Sequence, residues 1–254
     1  MALLEVRSVC KRFGGVQALK NMSITVNGGE IVGLIGPNGA GKTSFFNCIT
    51  GLLKIDEGDI FFHEDTQKLQ GLSSNRILEK GLARTFQNLR IFKNMTLLEN
   101  VAVGMHSRTS SGLLDAFLRT RRFHVEEKKM FKRGMELLDW MGLARHGNEI
   151  AANLSYGNQK RLEIARALAS EPKLLLLDEP VAGMNPHEKE EISELVRKIQ
   201  KKGIAVLLIE HDMRVVMPLS ERVVVMEDGQ KIAEGRPEEI QKNPRVIQAY
   251  LGAE

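Results

Sequence analysis

The sequence contains only two cysteines, Cys10 and Cys48, and they lie far apart in the chain. Neither belongs to a Cys-x-x-Cys pair or has histidine-rich neighbours, so the pattern indicates neither a disulfide framework nor a zinc site. We expect both to be buried, reduced thiols. Long apolar runs are also missing, because no stretch approaches the roughly 20 residues that a helix needs to cross a bilayer.

A surface dominated by one sign of charge is absent as well. The 254 residues include 36 lysines and arginines against 32 aspartates and glutamates, which gives a net charge of +4. Such a mixture does not favour specific nucleic-acid binding, although the isoelectric point is near 9.0. The segment Met1–Arg7 becomes charged too soon for a signal peptide. We therefore expect a cytosolic or peripheral protein without a nucleic-acid partner.

The order of apolar patterns predicts an α/β fold with a parallel sheet. Alternating residues from Leu3 to Val9 and from Met22 to Val26 predict a β-rich start, and a turn then leads into an apolar run at Ile31–Ile35. Three later apolar runs predict buried strands, and an amphipathic helix lies between the first two. In chain order these segments are Leu174–Leu177, Pro186–Lys202, Ile204–Ile209 and Val223–Met226. Strand, helix and strand in this order favour right-handed parallel crossovers.

A glycine-rich loop follows the strand predicted at Ile31–Ile35. It fits the pattern G-x-x-x-x-G-K-S/T and precedes a helix predicted over Lys42–Thr50, with Gly51 as the C-terminal stop. Glycines allow several backbone N–H groups to point into one concavity, and a helix N-terminus adds positive potential there, which suits a polyphosphate. Lys42 would neutralise the β- and γ-phosphates of a nucleotide, and the Thr43 hydroxyl would bind Mg²⁺. The candidate nucleotide-binding residues of this loop are Gly36, Pro37, Asn38, Gly39, Ala40, Gly41, Lys42, Thr43 and Ser44.

Two acidic residues follow the buried strand predicted at Leu174–Leu177. Asp178 and Glu179 therefore lie at the C-terminal edge of the parallel sheet, where open α/β sheets bind their ligands. Asp178 is the candidate Mg²⁺ residue, and Glu179 is the candidate general base that polarises the attacking water. Acidic residues also cap strands and begin helices, but a phosphate loop upstream favours the catalytic interpretation.

A further motif narrows the class of nucleotide-binding protein. Residues Leu154–Gln159 read Leu-Ser-Tyr-Gly-Asn-Gln, which resembles the LSGGQ signature of ABC ATPases. The resemblance implies that Ser155, Gly157 and Gln159 belong to a second anion site. The Ser155 hydroxyl, the Gly157 amide and a helix N-terminus would face the γ-phosphate of ATP held by the opposite subunit.

Three single residues are similar in position to further functional residues of that family. Gln87 resembles the glutamine that contacts Mg²⁺ or the attacking water, and His211 resembles the switch histidine that contacts the γ-phosphate. Phe13 is similar in position to the aromatic residue that stacks on adenine, with core packing as its alternative. In this order and spacing, the motifs cover nearly the whole chain.

The resemblance to ABC ATPases implies a specific architecture. It is one nucleotide-binding domain over residues 1–254, with a RecA-like phosphate-loop core, an N-terminal antiparallel β part and an inserted α-helical subdomain. The core would comprise residues 1–87 and 166–254, and the helical subdomain, with the signature motif, residues 88–165. The resemblance further implies ATP hydrolysis with Mg²⁺ by two subunits that close head-to-tail around two ATP molecules.

Several segments resemble, within that family, the ATPases of branched-chain amino-acid importers. They include Arg84–Phe92, Ile209–Met213, Val246–Gly252 and a long insertion at about Met105–Val125. Two positions depart from the commonest ABC pattern: Tyr156 replaces a signature glycine, and Asn185 replaces an aspartate of the D-loop. Basic residues between 119 and 133 are expected to form a solvated helix face, with contact to a membrane surface or a permease as the alternative.

The resemblance implies partners and also leaves alternatives. The partners would be a second ABC ATPase subunit, two transmembrane permease subunits and, indirectly, a periplasmic amino-acid-binding protein, at the cytoplasmic face of the inner membrane. The alternatives are a urea or amide importer or a lipopolysaccharide exporter. An ABC protein without a transport role lacks support, because the chain has no second ATPase domain or long coiled coil. A catalytically dead module is disfavoured by Lys42, Asp178, Glu179 and His211.

Overall fold

The computed structural model describes three stretches of the chain, residues 2–63, 67–106 and 121–251. The chain divides into two compact units. The first unit consists of Met1–Ile77 and Lys173–Glu254, and the second of Leu78–Pro172. The helical segment predicted at 88–165 lies inside the second unit. Most of the predicted insertion, including its residues 107–120, lies outside the described residues.

The described residues form both strands and helices. In chain order they are β1 (Ala2–Phe13), β2 (Val16–Asn27), β3 (Ile31–Ile35), α1 (Lys42–Ile49), β4 (Glu57–Phe62), β5 (Gln67–Lys68), α2 (Ser74–Glu79), β6 (Leu82–Arg84), α3 (Leu97–Met105), α4 (Arg121–Trp140), α5 (Tyr156–Leu168), β7 (Leu174–Asp178), α6 (Pro186–Lys201), β8 (Ala205–Ile209), α7 (Met213–Leu219), β9 (Arg222–Glu227), β10 (Gln230–Gly235), α8 (Pro237–Gln241) and α9 (Pro244–Leu251).

The first unit contains an antiparallel sheet built from the N-terminal strands. Its strand order is β2-β1-β4-β5, and the register places Leu4 opposite Val26 and Val6 opposite Ile24. These four side chains are buried, while residues between them are more exposed. The alternation is the pattern of strands with one face against the core, so the predicted β-rich start is confirmed.

A largely parallel sheet forms the centre of the first unit. Its strands there run in the order β10-β9-β3-β8-β7, with β3 parallel to β8 and β9, and β7 parallel to β8. Every residue of β3, β7 and β8 is buried, which explains their uninterrupted apolar sequences. Because these strands are parallel, their C-terminal ends meet at one edge, and the segments that follow them converge there.

The two helices predicted with bounds in the first unit, Lys42–Thr50 and Pro186–Lys202, are confirmed to within one residue by α1 and α6. Helix α1 ends at Ile49, and Gly51 follows with a φ of +70°, as a C-terminal glycine stop requires. Helices α8 and α9 pack on a cluster that includes Ile35 and Val225, and burial raises the pKa of Tyr250 in this cluster to about 12. The C-terminal tail therefore covers the sheet behind the strand that precedes the glycine-rich loop.

The second unit is built around helices α3, α4 and α5. Helix α3 begins with a capping box in which the Thr96 side chain accepts from the Glu99 N–H and the Glu99 side chain accepts from the Thr96 N–H. It packs against both α4 and α5. At Gly104 a Cβ atom would lie 2.2 Å from the carbonyl oxygen of Arg166, so only glycine allows α3 to approach α5 this closely.

Throughout the described stretches, no helix is both long and apolar enough to cross a membrane.

Both cysteines are free and buried, as predicted. The Cys10 thiol lies 3.3 Å from the Asn21 side-chain oxygen, and burial raises the pKa of Cys48 to about 11. A thiol with a raised pKa carries little thiolate near neutral pH, so Cys48 is a poor nucleophile.

Candidate functional site

The predicted catalytic residues of the first unit converge because three parallel strands end side by side. The glycine-rich loop follows β3, Asp178 ends β7, and His211 follows β8. Strand β8 lies between the other two, with Leu34 opposite Ile209 on one side and Asp178 opposite Ile209 on the other. This register brings the loop, the acidic pair and the histidine to one edge of the sheet.

The glycine-rich loop forms a tight cradle. Gly36 and Gly41 have φ values of +152° and +96°, which L-residues with side chains rarely adopt. A Cβ atom at Gly36 would lie 2.1 Å from the carbonyl oxygen of Met226, and one at Gly41 would lie 2.5 Å from that of Ala18. The loop is therefore closely wrapped by β9 and β2, and α1 begins directly after it.

The Lys42 ammonium group lies within this cradle. Its Nζ atom donates to the carbonyl oxygens of Gly36 and Pro37, at 2.5 and 2.9 Å. Partial burial lowers the pKa of Lys42, against the opposing effects of the Glu179 and Asp178 carboxylates. A cation over a glycine-rich loop, at a helix N-terminus and close to two carboxylates, matches the chemistry of a site for a nucleotide phosphate and a divalent cation.

Asp178 and Glu179 differ sharply in their surroundings. Asp178 is only 2% exposed, as expected for the last residue of a buried strand. Glu179 has a φ of +47°, and its N–H donates to the carbonyl oxygen of Ile209 at 2.9 Å. A glutamate in this left-handed region stores backbone strain, which proteins tolerate chiefly at functional sites. The Glu179 side chain is 21% exposed and is therefore the more accessible of the two carboxylates.

His211 lies beside the proposed general base. Its Nδ1 atom is 3.9 Å from Oε1 of Glu179, and its side chain is 62% exposed. An imidazole in this position can orient the carboxylate or contact a group bound next to it.

A buried glutamate for which the sequence predicts no functional role connects these loops. Glu210 is fully buried, and its two carboxylate oxygens accept hydrogen bonds from the backbone N–H groups of Val181 and His211, both at 3.1 Å. Burial raises the pKa of Glu210, although these backbone hydrogen bonds favour the charged form. Glu210 therefore connects the turn after Glu179 to the loop that carries His211.

Phe13 is not a core residue, because 45% of its surface is exposed. It ends strand β1, and the Lys11 ammonium lies 5.6 Å from the centre of its ring. An exposed aromatic face on the first unit is available for stacking with a planar ligand, so the stacking interpretation is the one that this geometry supports.

The signature residues occupy the start of helix α5 in the second unit. Ser155 is the N-cap residue, and its hydroxyl accepts from the Asn158 N–H at 3.4 Å. Gly157 is buried in the first turn, whereas Tyr156 is 45% exposed. Tyr156, which replaces a signature glycine, therefore presents its ring to the surface.

Gln159 and Asn185 both have structural partners. The Gln159 amide donates to the Leu154 carbonyl oxygen at 3.1 Å and braces its own loop, so a ligand contact by Gln159 stays a prediction. Asn185 is the N-cap of α6, where its side chain accepts from the Glu188 N–H at 3.0 Å. This capping role accounts for an asparagine at position 185, where an aspartate is expected, because asparagine and aspartate cap helices equally well.

Gln87 is an exposed loop residue of the second unit.

The strand order, the glycine cradle and the acidic pair define a phosphate-loop nucleotide-binding protein of the α/β class. A model of the family described as "ABC transporter" matches residues 19–182, and a model described as "Branched-chain amino acid ATP-binding cassette transporter" matches residues 230–254. The chain belongs to the ABC transporter family and is one of its ATPase subunits.

Individual relatives agree with this assignment. The chain is 45% identical to the high-affinity branched-chain amino acid transport ATP-binding protein LivG of Salmonella typhimurium, over 98% of each chain. Among solved structures, an ATP-binding cassette of an ABC transporter in its ADP conformation has a TM-score of 0.86 at 34% identity, over 99% of each chain. A dimeric cassette in a post-hydrolysis state, bound to ADP and Pi, has a TM-score of 0.77 at 27% identity, over 92% of this chain and 98% of that one. The predicted family and fold class are therefore confirmed.

Proposed function

We propose that this chain is the motor subunit of an importer for branched-chain amino acids. The convergence of Lys42, Asp178, Glu179 and His211 at one sheet edge supports ATP hydrolysis. The cargo is inferred from the relatives, since LivG-type chains cover 98% of this sequence and the family model at residues 230–254 is named for these transporters. The cargo does not contact the ATPase, so no residue described above selects it.

The proposed site assigns a distinct task to each residue. The cradle from Gly36 to Ser44 binds the phosphates through its N–H groups, and Lys42 neutralises their charge. Glu179 takes a proton from the attacking water, and His211, whose Nδ1 lies 3.9 Å from the Glu179 carboxylate, contacts the γ-phosphate. Phe13 stacks on the adenine ring.

Thr43 and Asp178 are the residues that would hold Mg²⁺, with Gln87 as a further proposed contact. Both hydroxyl and carboxylate oxygens are ligands that Mg²⁺ accepts, and the near-complete burial of Asp178 fixes its direction. When bound, Mg²⁺ neutralises charge on the β- and γ-phosphates.

We further infer that two ATPase subunits act together. Ser155, Gly157 and Gln159 of one subunit face the ATP held by the other, so ATP closes the dimer and hydrolysis opens it. The second subunit is a LivF-like ATPase or another copy of this chain. Two membrane permeases at the cytoplasmic face of the inner membrane couple this cycle to transport, and a periplasmic binding protein delivers the cargo. A urea or amide importer and a lipopolysaccharide exporter gain no support from the relatives reported above.

The motor assignment is tested by Mg²⁺-dependent ATP hydrolysis of the purified chain, alone and with a candidate LivF-like partner. Glu179→Gln keeps the shape of the side chain but cannot accept the proton, so hydrolysis is expected to fall by about 100-fold or more. This variant is expected to bind ATP and to form a stable dimer. A wild-type chain that neither binds ATP nor dimerises with its partner would contradict the proposal.

The cargo assignment needs a separate experiment. Vesicles that contain the ATPases and the candidate permeases are expected to take up leucine in an ATP-dependent manner when the binding protein is present. Uptake of urea instead of leucine would overturn the cargo while leaving the motor assignment intact.

A further inference from the structure

Helix α5 carries a buried ion pair one turn after the signature residues. Nζ of Lys160 lies 2.9 Å from Oε2 of Glu163, and the two side chains are 0% and 1% exposed. Removing two charges from water is costly, and apolar residues of similar volume often stabilise a protein equally well or better. Stability alone therefore gives no reason for an ion pair at this position, and its further contacts indicate another role.

Those contacts all go to the backbone of one distant loop. Oε1 of Glu163 accepts from the N–H groups of Phe86 and Arg90, at 3.3 and 3.2 Å. Nζ of Lys160 donates to the carbonyl oxygen of Phe86 at 3.1 Å. The loop between Phe86 and Arg90 contains Gln87, and we call it the Gln87 loop. The ion pair thus holds this loop at both ends from the side of α5.

We propose that Glu163 is a positioning residue that makes the Gln87 loop and the start of α5 move as one body, with Lys160 as its buried counter-ion. This inference depends on the proposed function, in which Gln87 serves the nucleotide of its own subunit while Ser155 and Gly157 serve that of the partner. Neither Lys160 nor Glu163 contacts a nucleotide. The role of Glu163 is to ensure that a displacement of the Gln87 loop displaces the signature residues as well, which couples the two ATP sites of a dimer.

The proposal depends on the Glu163 side-chain oxygen that accepts from Phe86 and Arg90, and not on the charge or volume of the side chain. A matched pair of variants separates the effect of the acceptor from the effects of charge and volume. The double variant Lys160→Met, Glu163→Gln removes both charges but keeps an amide oxygen that can accept from Phe86 and Arg90. The double variant Lys160→Met, Glu163→Leu has the same charge and a similar volume but no acceptor. Both are measured as the full chain with its partner ATPase.

The glutamine variant is expected to keep the kcat of the dimer within about threefold of wild type, and the leucine variant to lose about tenfold or more. The ATP affinity of the separate chain is expected to be the same in both, because Lys42 and the glycine cradle lie in the other unit. A loss of kcat at unchanged affinity distinguishes positioning from a general loss of structure.

A third variant, with a single substitution, covers the case in which the leucine double variant does not fold. Glu163→Asp retains the charge opposite Lys160 but withdraws the carboxylate by one methylene from Phe86 and Arg90. It is expected to melt close to wild type and to lose about tenfold in the kcat of the dimer. Wild-type kcat in Glu163→Asp, or equal kcat in the two double variants, would overturn the positioning role. Absence of hydrolysis in the wild-type dimer would instead refute the proposed function.

Discussion

Nζ of Lys189 lies 2.7 Å from Oδ2 of Asp212, in a salt bridge that joins helix α6 to the residue after His211. Asp212 is also the N-cap of α7, where its side chain accepts from the Arg214 N–H at 3.0 Å. Helix α6 begins at the Asn185 cap, so this bridge connects the helix after Asn185 to the segment that carries His211.

The salt bridge makes stability depend on pH. The hydrogen bond from Lys189 is the largest cause that lowers the pKa of Asp212 in the folded protein. A lowered folded pKa adds stability above the ordinary value of about 3.9, and this stability is lost as the pH falls below that value. Asp212→Asn is therefore expected to lower the melting temperature by about 2–4 °C at pH 7 and by less near pH 3.

Thermal melts at both pH values check this expectation, with Glu190→Gln as a control for the loss of one exposed carboxylate on α6. An Asp212→Asn variant that loses as much stability at pH 3 as at pH 7 would show that the charge of Asp212 is not the cause.

A second prediction concerns the buried carboxylate of Glu210. Because both of its oxygens accept from backbone N–H groups, Glu210→Gln keeps an acceptor on one side only and places its amide nitrogen against an N–H donor on the other. We expect hydrolysis to fall by about 10- to 100-fold, since Glu179 and His211 lose their relative placement. The affinity for ATP should change by less than about threefold, because the glycine cradle is untouched.

Steady-state hydrolysis and fluorescent-nucleotide titration separate these two effects. Glu221→Gln, an exposed position of the same unit, is the control for the substitution itself. Equal losses of affinity and rate in Glu210→Gln would indicate a collapsed site instead of a misplaced one.

A third prediction concerns the cradle glycine that follows β3. In Gly36→Ala the new Cβ would meet the carbonyl oxygen of Met226 at 2.1 Å, in addition to the strain of a φ of +152°. The free energy of unfolding is expected to fall by about 3 kcal/mol, and ATP binding should be lost. Gly203→Ala is the matched control, because Gly203 has a φ of +84° but no atom within 4 Å. It is expected to cost about 1 kcal/mol, from backbone strain alone.

Urea unfolding of Gly36→Ala and Gly203→Ala measures how much the free energy of unfolding falls at each position. Equal costs at the two positions would show that the backbone relaxes around Gly36 and that the cradle is less constrained than its contacts indicate.

A fourth prediction concerns the exposed ring of Phe13. Phe13→Ala is expected to weaken ATP binding by about 2- to 10-fold, the range of one aromatic stacking contact, while Phe13→Trp should retain it. The melting temperature should stay near wild type, because the ring is 45% exposed and contributes little to the core. Val16→Ala, at an exposed position of the adjacent strand β2, is the control. An unchanged affinity for adenine nucleotides in Phe13→Ala would remove Phe13 from the nucleotide site.

The elements that the sequence predicts well are those whose pattern is local. The glycine loop, the start of α1 at Lys42 and the stop at Gly51 are all confirmed, because each depends on the conformational freedom of a few consecutive residues. Strands β7 and β8 are confirmed to within one residue, because burial on both faces leaves an uninterrupted apolar run.

The supporting contacts of the site could not be predicted in the same way. Glu210 lies in the family-like segment Ile209–Met213 and Lys189 in the predicted helix Pro186–Lys202, but neither pattern indicates what these side chains contact. Glu210 contacts Val181 from a distance of 29 residues, and Glu163 contacts Phe86 from 77. Such pairs form only when the fold brings separate segments together, so no window of sequence contains the signal.

The sequence by itself determined the class of this protein, because phosphate binding requires a run of consecutive N–H groups, glycines and a lysine that one short segment can supply. Its motifs also supplied the candidate residues for metal binding and catalysis, whose roles stay predictions. Only the tertiary structure decided how these residues are held: by the strained turn at Glu179, the buried carboxylate of Glu210 and the Lys160–Glu163 pair behind the Gln87 loop. The physical reason is that burial sets the strength of these contacts, and burial is a property of the assembled fold.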